Sequence, residues 1–456
     1  MFTKTQNQFL WGAATSSHQI EGDNKFNDWW HFEKQGKIDK KQVSGKATDH
    51  WNRYKEDLRL AEELKLNTYR FSIEWSRLEP QEGQWDKYAL EWYMELVQEC
   101  ERRKLLPMLT LHHFTFPKWI SDNGGLTNKD NVHFFERYVK KVVKVLGSHV
   151  PLWCTINEPL VLVIGQYLGG IMPPAENNPK VLSLALRNFL KCHVAAYRAI
   201  HNHTERRKGA WRSHPLQVGI AHNMVDFMAS KQWHPMERLL SKVFWKFYNQ
   251  SFLDAVTGGP QDFGIMGLTP QVKPVREALG KRTVDFIGIN YYMRGELKWR
   301  PKADHYERVP GIPVGISFSS PLEDKSDMGW GIHPEGLSRM LNFVQHYGLP
   351  IYITENGIAD AEDKYRRNYI LEHLLTVSRA IKKGADIRGY YYWSLLDNFE
   401  WIKGYDPRFG LVSIDYSTFE RKIRPSAKIY RDLIQQHLIL NRPPSEKIIL
   451  EMLKKV

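Results

Sequence analysis

The sequence predicts an α/β protein built as a single (β/α)8 TIM barrel, and three observations lead there. Short apolar or β-branched runs alternate with longer amphipathic segments eight times over the 456 residues. The runs are almost continuously apolar, as strands of a parallel sheet covered on both faces must be. Nearly every run also finishes in a group able to donate or accept a hydrogen bond, and reactive side chains of such barrels collect at the C-terminal strand ends. Length alone suggests two or three domains. Barrels of this kind run past about 250 residues as one unit, and no Pro- or Ser-rich linker divides the chain, so residues 1–456 are read as one domain.

In order, the strands are expected at 9–19, 68–75, 106–114, 152–158, 216–223, 284–292, 351–355 and 387–393. The helices between and after them are expected at 49–66, 86–103, 134–146, 181–200, 236–256, 334–347, 364–383 and 425–437. In the first, Trp51, Tyr54, Leu58, Ala61 and Leu64 recur at helical spacing behind a Thr48/Asp49 cap signal. The long stretches 226–283 and 293–350 read as extended βα loops on the catalytic face. A doubly wound open sheet would need a Gly-rich phosphate turn after an early strand, which Gly12 alone does not supply.

Composition narrows the function classes. Sixteen Trp are enough for both core packing and platforms under the C–H faces of sugar rings. The net charge of +13 raises the question of nucleic acid or an anionic membrane. Its lysines are dispersed, however: Lys140, Lys141 and Lys144 alternate with Tyr138, Val139, Val142, Val143 and Val145 as the wet side of an amphipathic helix. No nucleic-acid partner is therefore expected, and the basic tail from Lys447 to Val456 reads as a docked or frayed end. No window of 18 apolar residues predicts a membrane span. Cys100, Cys154 and Cys192 form no CxxC and no even set, which suits a reducing compartment. With no apolar run after the first lysine of residues 1–9, a cytoplasmic location is expected.

The strand ends carry Gln19, Arg70 and Glu74, His113, Asn157 and Glu158, Asn223, Asn290 and Tyr292, Glu355, and Trp393. Two segments stand out, Thr155-Ile156-Asn157-Glu158-Pro159 and Ile353-Thr354-Glu355-Asn356-Gly357. Each places a glutamate at the mouth of an apolar strand, where a charge is costly unless pairing or function retains it. Glycoside hydrolysis needs such a pair: one carboxylic acid to protonate the leaving oxygen, one carboxylate to act at the anomeric carbon.

These two segments resemble the signatures of glycoside hydrolase family 1, the β-glucosidase and β-galactosidase group. The resemblance runs from Phe9-Leu10-Trp11-Gly12-Ala13-Ala14-Thr15 through Phe409-Gly410-Leu411-Val412. It implies a retaining β-glycosidase acting on terminal β-D-glucosides, and also β-galactosides and β-fucosides, through a covalent glycosyl-enzyme. Glu158 matches the acid/base and Glu355 the nucleophile. Asn157 matches the residue that binds the sugar 2-OH, Arg70 and Tyr292 match the groups that hold the nucleophile, and Asn290 stands beside Tyr292 in the same motif. Gln19, His113, Glu400 and Trp401 match residues that bind the outer hydroxyls, Trp393 the platform beneath the ring, and Trp330 an aglycone-side aromatic. Glu400 keeps an acidic group where members acting on 6-phosphorylated sugars carry neutral and basic ones, which implies a neutral hexose. Phe114 departs from the Trp that many members have after His113. No cofactor and no metal are implied, and the expected partner is a small β-glycoside or oligosaccharide.

Other readings stay open on the residues themselves. Transglycosylation would use the same site, and a non-catalytic sugar-binding barrel would share the fold. Arg70 could pair with Glu74 as an ordinary buried ion pair. His112 and His113 are consecutive strand residues facing opposite ways, so a shared metal is not expected and His112 reads as packing. Trp119, Trp153 and Trp211 are assigned to packing and Cys154 to a buried thiol.

Overall fold

In the computed structural model, eight parallel strands close into a barrel ringed by helices. The structure describes residues 8–203, 207–264, 269–300, 307–308, 313–319, 324–440 and 443–454. The barrel strands are β1 (Leu10–Ala14), β2 (Thr68–Ser72), β3 (Leu106–His112), β4 (Leu152–Asn157), β5 (Gln217–Ala229), β6 (Phe286–Trp299), β7 (Ile351–Asn356) and β8 (Ile387–Trp393). They follow one another around the ring, with β8 pairing β1 and β5 pairing β6.

The helices form where apolar residues recur every three or four positions. Helix Asn131–Leu146 buries Phe135, Tyr138, Val139, Val142, Val143 and Leu146, while Lys140 and Lys144 stay exposed. Two hydrophobic layers result. The outer one lies between strands and helices; the inner one fills the lower barrel with Leu10, Leu106, Met108, Leu152, Cys154, Ala221, Phe286, Tyr352 and Tyr391. The tail is docked: helix Glu446–Lys454 buries Ile449 and packs on helix Arg366–Lys382, with residues 455–456 outside the described part.

Three expectations need correction. The first strand is short: after Ala14 the chain turns into helix Ser17–Ile20, where the Thr15 hydroxyl bonds to the Tyr69 hydroxyl, the Ser17 N–H donates to Ser72 Oγ, and the Ser16 hydroxyl donates to Gln19 Oε1 within the turn, in place of a continued ladder. Gln19 therefore sits on that helix, not at a strand end. Strands β5 and β6 run on well past their expected ends, and β6 pairs antiparallel with Val314–Ser317. Finally, the helix expected over 236–256 is interrupted by a π-helical turn at Trp245–Gln250 between Pro235–Phe244 and Ser251–Thr257. A 3.6-residue pattern carries no signal for that extra residue.

Candidate active site

Both glutamates are turned into the barrel mouth by local irregularities. Between Cys154 and Asn157, β4 advances three residues while β5 advances two, from Gly219 to Ala221. Likewise β7 advances two residues, Ile353 to Glu355, against one on β6, Ile289 to Asn290. A bulge of this kind swings the following side chain to the opposite face. Glu158 then adopts a left-handed backbone (φ 46°, ψ 61°) as the residue preceding helix Pro159–Tyr167, whose first position is the proline.

Glu355 is held at both oxygens. Arg70, fully buried on β2, donates through Nη1 to Oε1 at 2.5 Å, and the Tyr292 hydroxyl donates to Oε2 at 2.6 Å. The other guanidinium directions are filled by the Thr354 carbonyl at 3.1 Å, Asn157 Oδ1 at 2.7 Å and Thr110 Oγ1 at 3.2 Å. A buried ion pair holds when its remaining donors are satisfied in this way. Arg70 does not pair with Glu74, whose carboxylate accepts instead from the hydroxyls of Ser17, Ser76 and Thr115.

Among the described residues, Glu158 has neutral donors only. One of its oxygens accepts from Asn290 Nδ2 at 2.8 Å and from Asn223 Nδ2 at 3.0 Å. Asn290 also donates to Asn157 Oδ1 at 3.1 Å and accepts from Thr354 Oγ1 at 2.7 Å, which knits β4, β6 and β7 together. The difference in partners separates the two carboxyls. Burial first, and then the charge of Glu355, push Glu158 up to about 8. Burial also raises Glu355, but Arg70 and Tyr292 pull against it.

A second cluster lines the wall between β1, β3 and β8. Gln19 Nε2 donates to Asn398 Oδ1 at 2.7 Å, the Phe399 carbonyl at 3.0 Å and Glu400 Oε2 at 3.3 Å. Burial, together with Glu355 and Glu158, pushes Glu400 up to about 8. The His113 ring lies nearly parallel to Trp393 (5.8 Å, 19°) and Trp401 (6.1 Å, 15°). Burial and Arg70 hold it well below the usual imidazole range, and it takes an Asn157 Nδ2 contact at Nε2, 3.2 Å. Its Nδ1 then carries the hydrogen and has no partner among the described residues. Phe114 packs on Trp401, and Trp330 lies on the opposite side against Tyr292 and Phe409.

With this geometry the comparisons agree. The chain matches the model of Glycosyl hydrolase family 1 over residues 2–439. It belongs to glycosyl hydrolase family 1. This family 1 enzyme is 32% identical over 455 residues to Beta-glucosidase A of Acetivibrio thermocellus, covering 94% of this chain and 98% of that one. It is 29% identical to a Beta-galactosidase of Pyrococcus woesei, covering 98% and 99%. The solved beta-glycosidase from Pyrococcus horikoshii superposes with a TM-score of 0.84 at 37% identity, covering 97% of this chain and 96% of that chain.

The family 1 barrel brings most of the residues singled out in the sequence into two neighbouring sets, with Trp330 against Tyr292. Arg70, Asn157, Glu158, Asn290, Tyr292 and Glu355 form one hydrogen-bonded set; Gln19 and Glu400 form a second, beside His113, Trp393 and Trp401. His112 faces away, between Phe116 and Phe189, where burial lowers it to about 3. All three cysteines are buried and unpaired. Among the described residues no helix is long and apolar enough to cross a membrane. Asn223, which the sequence marks only as a strand end, contacts Glu158; its inward position at the mouth of β5 is the signal for that role.

Proposed function

We propose that this enzyme is a retaining β-glycosidase for terminal β-D-glucosides and related β-galactosides and β-fucosides, with Glu355 as nucleophile and Glu158 as acid/base. The observation that carries the assignment is the unequal environment of the two carboxyls. Glu355 has a cation and a phenol on its two oxygens, which favour the charged form needed for attack. Glu158, raised to about 8, holds its proton at neutral pH and can give it to a leaving oxygen.

In the first step Glu355 attacks the anomeric carbon, the glycosidic C–O bond breaks, and the Glu158 proton passes to the departing oxygen. In the second, Glu158 takes a proton from water, which displaces Glu355 and leaves the β configuration. Retention by this route requires carboxyl groups about 5–5.5 Å apart. The unpaired Nδ1 of His113, together with Gln19 and Glu400, supplies donors and acceptors for sugar hydroxyls, and a buried donor without a partner gains from such a ligand. Asn157 serves the 2-OH, Trp401 the outer hydroxyls, Trp393 the platform beneath the ring, and Trp330 the aglycone. Glu400, raised to about 8, meets neutral sugar hydroxyls as a hydrogen-bonding carboxyl and gives a phosphate no cation to pair with. Similarity to a Beta-glucosidase A and a Beta-galactosidase supports a glucoside or galactoside substrate.

The test is turnover of p-nitrophenyl β-glucoside, β-galactoside and β-fucoside by wild type, Glu355→Ala and Glu158→Ala. Loss in Glu355→Ala, with azide restoring turnover to an α-glycosyl azide, supports the nucleophile assignment. Absence of wild-type turnover on all three substrates would overturn the proposed specificity.

A further inference from the structure

The π-helical turn at Trp245–Gln250 lies outside the barrel, yet one of its side chains reaches the acid/base. The Tyr248 hydroxyl donates to Asn223 Oδ1 at 2.7 Å, and Asn223 Nδ2 donates to Glu158 at 3.0 Å. That is the only hydrogen bond of the Tyr248 hydroxyl among the described residues. It fixes which end of the Asn223 amide faces Glu158, because a phenol proton is delivered to the amide oxygen and leaves the NH2 to point at the carboxyl.

The turn is fastened to β5 at Tyr248 itself and at Asn249. The Tyr248 carbonyl accepts from His222 Nε2 at 3.0 Å. Asn249 grips the backbone of Val225, accepting from its N–H at 3.0 Å and donating to its carbonyl at 2.8 Å. His222 faces outward and Asn223 inward, as adjacent strand residues must. Burial lowers His222 to about 4, so it stays neutral. A π turn inserted in a helix is a known device at functional sites.

We propose that Tyr248 is a positioning residue for the acid/base: it aims the Asn223 amide NH2, beside that of Asn290, onto one oxygen of Glu158, so that the other oxygen carries the transferable proton. Asn223 and Asn290 are register partners on β5 and β6, and both donate to that same oxygen. A protonated carboxyl places its hydrogen on the oxygen that is not already accepting. Without the Tyr248 hydroxyl the Asn223 amide is free to flip, and its oxygen would then draw the Glu158 proton away from the substrate. The inference rests on Glu158 being the acid/base. The other charged or titratable groups that act on Glu158 are Glu355 on β7, Arg70 on β2, Tyr292 on β6 and Glu400 after β8, and none of them changes in the test below.

The experiment is kcat/KM across pH for Tyr248→Phe, which keeps the ring packed on Phe227. Two aryl β-glucosides are compared, one with a phenol leaving group that needs protonation and one with a dinitrophenol that does not. The expected result is a loss of about ten-fold for the phenyl substrate and about two-fold for the dinitrophenyl one, a fraction of the general-acid contribution. The alkaline limb of the phenyl profile should move upward, since a carboxylate that loses a donor holds its proton more tightly. Asn223→Ala should show the same discrimination, and the double variant should be no worse than Asn223→Ala alone. Equal losses on both substrates, an unmoved alkaline limb, or additive effects would overturn the proposal. Glu158→Gln run in parallel separates two failures: no leaving-group discrimination there removes the acid/base assignment and the positioning role together, whereas discrimination there with none in Tyr248→Phe removes the positioning role alone.

Discussion

The lower half of the barrel and its mouth are built from the same eight strands and obey opposite rules. Below, Leu10, Leu106, Leu152, Phe286 and Tyr352 interleave with small side chains such as Ala221 and Cys154, and burial of hydrocarbon holds the layer together. Three to six residues further along, Asn157, Glu158, Asn290 and Glu355, together with Arg70 on β2, are just as buried, and hydrogen bonds replace hydrocarbon contact. Burial raises both carboxyls, and the charge of Glu355 raises Glu158 further, which is a cost in the folded state. The mouth is thus carried by the lower layer, and stability and chemistry are spatially separated in one barrel.

The sharpest break of this contrast is Arg70→Met. It leaves Glu355 buried without its cation, so kcat/KM should fall by roughly 10²–10³ and stability by about 3–5 kcal/mol, read by glycoside assay and urea titration. Leu152→Ala acts on the other half: it should cost about 2–5 kcal/mol of stability, while kcat of the folded enzyme stays within a few-fold. A large loss of kcat in Leu152→Ala at full folding would show that the layers are not separable.

Glu158→Gln sharpens the contrast with the opposite sign. The glutamine keeps an acceptor for Asn223 and Asn290 and removes a buried ionisable group. Because the folded Glu158 is raised to about 8 from 4.5, the wild type loses stability relative to the variant as pH rises from 4.5 to 8. Melting temperatures should therefore match near pH 4 and favour the variant by a few degrees at pH 8. The smallest effect is on the wild-type pH profile, where kcat/KM should decline as pH rises through about 8, the point at which Glu158 loses its proton. A profile flat to pH 10 would remove Glu158 as the acid.

The sequence alone determined the barrel, because eight apolar runs at the right spacing leave few other ways to bury them. It also determined the inward side chains wherever strict alternation holds. On β2 that gives Arg70, on β6 Asn290 and Tyr292, and on β8 Tyr391 and Trp393, all facing the barrel interior. Residue type marked Glu158 and Glu355, since a carboxylate ending an apolar strand needs a reason to be there.

Tertiary structure decided the rest. Strict alternation counted from Cys154 and Tyr352, both in the inner layer, would turn Asn157 and Glu355 outward. The extra residue in β4 and in β7 reverses that, and its presence is known only from the register of the neighbouring strands. The partner of Arg70 is likewise a choice between Glu74, four residues away, and Glu355, 285 residues away, and only the closed ring brings the distant one within 2.5 Å. The reach of Tyr248 to Asn223 depends on a π turn whose single added residue rotates the helix without altering its apolar pattern. Bulges, register and long-range pairing are properties of strands meeting one another, so a single chain read end to end carries no local signal for them.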